Sequence, residues 1–486
     1  MTRQRSHPFW IKLLTAAACL CLASCITVGP DYTAPAPETP TAWDRLDPGD
    51  RPAALADATG DLGQWWQRLN DPLLSELVEE VLRSSPDLAI ARARLREARA
   101  RRTAASADLF PEVSAAGSAR QSRSSEEVGS GDTSEFYSAG FDAGWELDVF
   151  GGTRRSIEAA EADLAAAAAG LDHTRVSLAA ETAIGYIQTR SLQNRIAIAR
   201  DNLASQSETL QLTEWRARAG LVSELDVEQA RGNCEQIRAR IPSLEISLAE
   251  TGHALDILLG HLPGTMRRRL AAAGALPEPP ADVAVGIPAD TLRQRPDVRA
   301  AERTLAAETA RTGLAEAARY PSFHLSGSIG LEALHFSSLG NSGADASSLL
   351  AGITVPIFDA GRLRSQVEAQ DAVREQAQIK YEQAVRNALQ EVENALVALA
   401  GNRDRVRALT AADQAARSAA GMTRQRYSAG LTDFQSVLDT ERTALAVEES
   451  LAIARADGLL ALIRLYKALG GGWPAPDLQS TGKETP

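Results

Sequence analysis

The sequence predicts a mostly helical, internally duplicated chain in which each half carries one pair of amphipathic β-strands. Three observations carry that prediction. The chain matches itself at a shift of 210 residues. A 66-residue run from Thr153 to Arg218 consists largely of Ala, Glu, Arg and Leu and holds no proline. The stretch EFYSAGFDAGWELDVFGG (135–152) alternates apolar and polar residues almost without a break.

The duplication is read from paired motifs. Pro86-Asp87 recurs as Pro296-Asp297, Phe110-Pro111 as Tyr320-Pro321, Glu158-Ala159 as Glu368-Ala369, Ala219-Gly220-Leu221 as Ala429-Gly430-Leu431, and Gly260 as Gly470. Phe150 meets Phe358 only at a shift of 208, so the halves differ by about two residues near the second strand. The predicted organisation is a signal peptide (1–24), an N-terminal segment (25–84), repeat one (85–271), a linker (272–290), repeat two (291–472) and a Pro-, Ser- and Thr-rich disordered tail (473–486).

At the N-terminus, Arg3, Arg5 and Lys12 precede an apolar run from Leu13 to Leu22. That run is shorter than the ~20 residues a spanning helix needs, and it ends in small residues, as an export signal does. Leu22-Ala23-Ser24-Cys25 resembles the bacterial lipoprotein signal, in which cleavage precedes the cysteine. The resemblance implies a mature chain that starts at Cys25 and carries S-diacylglycerol and N-palmitoyl groups. It implies no other cofactor. Ile26, where some members carry Asp, implies delivery to the outer membrane. Each buried CH₂ of such a lipid adds ~0.8 kcal/mol, enough for several chains to anchor the segment. Cys19 and Cys21 leave with the signal, so Cys234 is a lone thiol with no internal disulfide partner, read as a small buried side chain.

Each repeat reads as helix, two strands, long helix, returning helix. In repeat one, Ser85-Pro86-Asp87 opens a helix to about Leu109, with proline near the start where its missing N–H costs little. Two strands follow at about 110–150, the weaker from Phe110 to Gln121, separated by the polar loop SRSSEEVGSGDTS (122–134). The long helix 153–218 then extends roughly 100 Å at 1.5 Å per residue. Repeat two offers strands at about 321–358, PSFHLSGSIGLEAL (321–334) and SLLAGITVPIF (348–358), and another long helix that returns after Gly430.

The alternation decides which solvent the strands face. Tyr137, Ala139, Phe141, Ala143, Trp145, Leu147 and Val149 share one side; Asp142, Glu146 and Asp148 lie on the other. A soluble sandwich strand also alternates. Here four strands of ~10 residues suit tilted transmembrane strands, aromatics lie on the apolar face, and no further strands exist to cover it. Lipid is then the solvent of that face, and Asp142, Glu146 and Asp148 line a wet lumen. Four strands cannot close a barrel, because the smallest membrane barrels use about eight. Eight strands from two chains, or twelve from three, would remove the open edges. No apolar run of 18 residues follows the signal, so a closed barrel is the only spanning structure available. A formal charge of -12 excludes nucleic acid as a partner.

Together the pieces resemble the TolC-like outer-membrane channels of efflux and secretion, in their lipoprotein branch. The motifs are CITVGPDY (25–32), ARAGLVSELDVEQAR (217–231), RYSAGLTDFQSVLDTER (426–442) and LYKALGGGW (465–473), beside the doubled plan. The resemblance implies a homotrimer with one twelve-stranded β-barrel in outer-membrane lipid, continuous with a twelve-helix α-barrel in the periplasm. It implies a passive export duct for small molecules such as drugs and toxic compounds. A periplasmic adaptor would join it to an inner-membrane pump of the resistance-nodulation-division type. It also implies a periplasmic gate at the helix turns, to which Tyr427, Asp439, Arg442 and Asp226 correspond, with Gly220 and Gly430 at the turns themselves. Copies of Asp439 around an axis repel unless cations such as Arg442 compensate. Ser436 stands where some members carry a second aspartate, and Gln435 where some carry a leucine constriction.

Enzyme chemistry finds no support. His173, His253, His261, His324 and His335 are scattered, and no H-E-x-x-H, P-loop or G-x-S-x-G occurs. The competing architecture is a non-conducting, lipid-anchored helical scaffold or adhesin. It accounts for the long helices and the lipid but not for two hairpins with uncovered apolar faces.

Overall fold

The computed structural model describes residues 27–36, 38–44, 62–272, 274–280 and 288–472. The expected signal peptide, the lipid site Cys25 and the tail 473–486 lie outside the described residues.

After a 3-10 turn at Trp65–Leu69 come α1 (Pro72–Ser84), α2 (Pro86–Ala107), β1 (Glu112–Arg123), β2 (Thr133–Leu147), α3 (Gly152–Arg218) and α4 (Glu224–Leu258). Then follow α5 (Thr265–Arg269), α6 (Pro288–Gln294), α7 (Pro296–Ala317), β3 (Ser322–Ala333), β4 (Asp345–Thr354), α8 (Arg362–Ser428) and α9 (Phe434–Ala468), with a short 3-10 turn at Phe336–Ser338 between β3 and β4. The duplication is visible in lengths: α3 and α8 have 67 residues each, α4 and α9 have 35 each, α2 and α7 have 22 each. Prolines open α1, α2, α6 and α7, where no intrahelical partner for the N–H exists anyway.

The compact units are not the duplicated halves. One gathers the described residues up to 36 with 94–168 and 300–382; the other gathers 37–93, 169–299 and those from 383 on. Each takes matching pieces from both repeats. A half therefore supplies one hairpin to the first unit and one helical return to the second.

The first unit holds a single antiparallel sheet in the order β1-β2-β3-β4. The two hairpins meet at β2 and β3, where Gly140 pairs with Gly330. A Cβ at Gly330 would stand 2.6 Å from the carbonyl oxygen of Ala139 and 2.7 Å from Cα of Gly140, so only glycine permits this approach. The extended segment after Thr27 is clamped by Arg155, which donates to the carbonyls of Val28 and Gly29 at 3.1 and 3.3 Å and to Asp31 at 2.6 Å.

In the second unit, Trp65 stacks on Tyr466 at 5.2 Å over a core including Leu74, Leu77, Val78, Val81, Leu255 and Leu259. Its charged hub is Arg295, buried beside both Asp297 oxygens (3.0 and 2.7 Å), Glu391 (2.7 Å) and the carbonyl of Ala468 (2.8 Å). Burial alone would raise the Asp297 carboxyl, but the Arg295 hydrogen bonds and charge, with His173, bring it below its usual value.

The strands differ from expectation at their ends. The fourth runs 345–354 instead of 348–358, because Pro356 has no N–H for the ladder; Val355, Ile357 and Phe358 lie beyond it. The first starts after Pro111 and reaches Arg123, so the loop shrinks to 124–132. Pairing there is extended by a hydroxyl bond between Ser122 and Ser134 at 3.0 Å. The segment 272–290 ends inside α6.

Candidate functional site

The sheet register sorts residues by face. One set of rows reads Val113, Ala143, Gly327, Leu349 and Ala115, Phe141, Ile329, Ser347 across the four strands. Its large members are open to solvent in the single chain: Phe141 60%, Ile329 66%, Leu349 80%. Such a contiguous apolar face marks an interaction with something other than water. The opposite face carries the row Ser114, Asp142, Ser328, Ser348, in which the last two hydroxyls bond at 2.8 Å. Glu146 lies opposite His324, whose Nδ1 is 4.0 Å from the carboxylate. Asp142 and Glu146 thus share the polar face, with Leu350 an apolar exception on it. Asp148 does not. It lies past the end of β2, where its carboxylate accepts the N–H groups of Thr153 and Arg154 (3.2 and 3.0 Å) and pairs with the Arg154 side chain at 3.0 Å. The start of the long helix leaves N–H groups without partners, and Asp148 serves them instead of a lumen. Asp359 does the same for α8, accepting from Gly361 and Leu363. Those backbone bonds hold its carboxyl below the usual range.

The two turns at the far ends of the long helices are built alike. Gly220 and Gly430 sit at φ +71° and +75°, the left-handed region that ends a helix. The N–H of Leu221 closes on the carbonyl of Arg216, and that of Leu431 on Arg426, both at 2.9 Å. The returning helices then start on caps. Ser223 and Asp226 form a reciprocal capping box, and Asp433 accepts the Ser436 N–H at 2.8 Å. Hydrogen bonds from Ser436 hold the Asp433 carboxyl down.

The turns are tied together by Arg216. Its guanidinium lies 4.3 Å from the Tyr427 ring centroid and donates to the carbonyls of Tyr427 and Ser428 at 3.0 and 3.1 Å. Tyr427 is 4% exposed, packs on Phe434 at 5.7 Å, and its hydroxyl has no hydrogen-bond partner among the described residues. Asp439 is exposed and accepts from Gln435 at 3.0 Å. Arg442 donates to Asn233 at 3.2 Å and does not pair with Asp439 within the chain. Asp226 directs its carboxylate to Ser223.

Sequence reasoning missed a four-helix polar cluster beside these residues. Asn233 donates to Gln206 (2.8 Å), Gln206 to the buried Glu441 (2.5 Å), and Arg424 to both Glu441 (2.5 Å) and Ser205 (2.8 Å). Its members come from α3, α4, α8 and α9, so no spacing along the chain announces it. Arg216 could have been found: both long helices carry basic residues in the last turn, where carbonyls lack partners. Among the described residues no cluster of His, Cys, Asp or Glu could hold a metal ion, and no helix is long and apolar enough to cross a membrane.

The chain as a whole is similar to known proteins. The family described as Outer membrane efflux protein matches residues 77–261 and again 287–471, once per repeat. Nodulation protein T of Rhizobium leguminosarum bv. trifolii is 32% identical over 466 residues, 93% of this chain and 96% of that protein. The toluene efflux pump outer membrane protein TtgF of Pseudomonas putida is 30% identical over 471 residues, 95% and 96% of the two chains. The solved outer-membrane channel OprN superposes with a TM-score of 0.84 at 36% identity, covering 92% of this chain and 99% of its own. Matched twice along its length, the chain belongs to the outer membrane efflux protein family, and it is an outer-membrane export channel, not an enzyme.

Proposed function

We propose that three copies of this chain close one twelve-stranded barrel in the outer membrane and act as the exit duct for small molecules. Channels of this family work with an adaptor and a pump; the pump here is of the resistance-nodulation-division type. The observation that carries the reading is the row-by-row separation of apolar and polar faces across a sheet whose outer strands, β1 and β4, have no further partner strand among the described residues. Such edges call for other copies. Three copies supply twelve strands, a number within the range of membrane barrels.

The duct performs no chemistry. Energy comes from the pump, and adaptor docking biases a two-state entrance at the helix turns. Tyr427, Asp439, Arg442 and Asp226 belong to that entrance. Asp439 presents exposed charge near the axis; Arg442 acts through Asn233; Asp226 and the glycines Gly220 and Gly430 hold the turns. Asp142 and Glu146 line the barrel's wet side. Lipids on Cys25 fasten the N-terminal segment, which Arg155 holds against the first unit. The repeats function as 85–271 and 291–472, each supplying one hairpin and one helical return.

Single-channel conductance in planar bilayers tests this. The parent should show small, cation-preferring steps that grow in Asp439→Ala and Arg442→Ala. Folded oligomers that never conduct would remove the duct; unchanged steps in both variants would remove the gate assignment alone.

A further inference from the structure

Within the first unit, α2 leads into the outer strand β1, and α8 leaves the opposite outer strand β4. From residue 94 on, α2 is strongly basic: Arg94, Arg96, Arg99, Arg101 and Arg102 are all exposed against one acid, Glu97. Arg102 reaches Glu161 of α3 at 2.7 Å, and Arg101 reaches Glu97 in its own helix at 2.7 Å. Arg94, Arg96 and Arg99 have no side-chain partner among the described residues. The first turns of α8 expose Glu368, Asp371 and Glu375. Glu368 pairs with Arg364 and Asp371 with Arg374, both within the helix, while Glu375 has no partner among the described residues. Beside these charges both helices expose small or apolar side chains, Ala100, Ala104 and Ala107 on α2 and Ala369, Ala372 and Val373 on α8.

The charges match by level. Counted from the sheet-side end of each helix, Arg101 lies six residues from Ala107, and Glu368 lies six from Arg362. Arg94 and Glu375 each lie thirteen residues along. Just past the end of α2, Asp108 is acidic where α8 begins with Arg362 and Arg364. Both helices rise equally per residue, so equal counts mean equal distances from the sheet-side end of each helix.

We propose that the Arg94 to Arg101 face of α2 docks on the Glu368 to Glu375 face of α8 from a second copy of this chain, and that this charge pattern selects self-assembly. The inference rests on the ring of the preceding section. When β4 of one copy joins β1 of the next, their α8 and α2 run antiparallel side by side, a head-to-tail contact that closes as a ring. Opposite charges at matched depth fix the partner and its register, and like charges there exclude a wrong one. The internal pairs at Glu97, Arg364 and Arg374 are exposed neighbours along one helix, weak enough to be exchanged.

The test uses the full chain in mild detergent. Arg94→Glu with Arg101→Glu should lower the yield of rings about tenfold through like-charge contact. Adding Glu368→Arg and Glu375→Arg to the same chain should restore it. In a Cys234→Ser background, the cysteine pairs 101/368 and 94/375 should cross-link between differently tagged copies, and 94/368 should not. Full ring yield from the double reversal, or cross-linking indifferent to level, overturns the proposal while leaving the ring intact. A parent that forms no ring overturns both readings.

Discussion

Arg216 holds Tyr427 twice, by its charge over the ring at 4.3 Å and by a hydrogen bond to the carbonyl at 3.0 Å, joining the turn of one repeat to the turn of the other. A cation over an aromatic face contributes ~0.5–2 kcal/mol, and the carbonyl bonds add to it. Arg216→Ala should therefore loosen the entrance by about 1–2 kcal/mol, read as larger or longer single-channel openings. Unchanged openings would mean that the contact only steadies the fold.

The Tyr427 hydroxyl tests a different link. A buried hydroxyl without a partner costs about 1–3 kcal/mol. If it stays unpartnered in the ring, Tyr427→Phe should raise the melting temperature and leave conductance alone. Wider openings in Tyr427→Phe would show that a neighbouring copy supplies the missing acceptor.

Arg442 reaches no acid in its own chain among the described residues; it reaches Asn233. Asn233→Ala should accordingly reproduce the conductance change of Arg442→Ala, and the double variant should add little. Additive effects in this cycle would place the two residues in separate contacts.

Arg295 is a buried charge whose removal is costly. Breaking a buried ion pair by deleting one partner costs about 3–5 kcal/mol, and Arg295→Ala leaves Asp297, the more buried of its two acids, without its cation, while the half-exposed Glu391 adds little. Chemical unfolding should register that loss at neutral pH. The depressed Asp297 carboxyl sets its acid dependence: its contribution is complete above the ordinary value of ~3.9 and fades as pH falls through the lower folded value. Parent and variant stabilities should converge in strong acid. A gap that persists there would assign the loss to packing.

Gly330→Val would push a side chain into the Ala139 carbonyl and Gly140. The seam between the two hairpins should then fail, with loss of heat-stable oligomers and of strand signal in circular dichroism. Normal assembly would mean that the strands can separate without cost.

Much of the architecture was legible because it rests on period and composition. The 66-residue helical run, the returns after Gly220 and Gly430 and the alternation around Phe141 are local signals, and helix propensity or strand pleat converts each directly into structure. Strand ends are less legible in the sequence. Pro356 and Pro111 remove ladder N–H groups inside stretches whose apolar alternation continues across them.

The sequence alone determined the duplication, the kinds of element and the alternation of side chains between the two faces of the strands, since these depend on neighbours a few positions apart. Only the tertiary structure decided partners. It gave Arg442 to Asn233, buried Tyr427 beneath Arg216 and gathered Gln206, Asn233, Arg424 and Glu441 into one cluster. Hydrogen bonds and ion pairs form between atoms within about 3 Å, and residues roughly 200 positions apart reach that distance only when helices from both repeats pack.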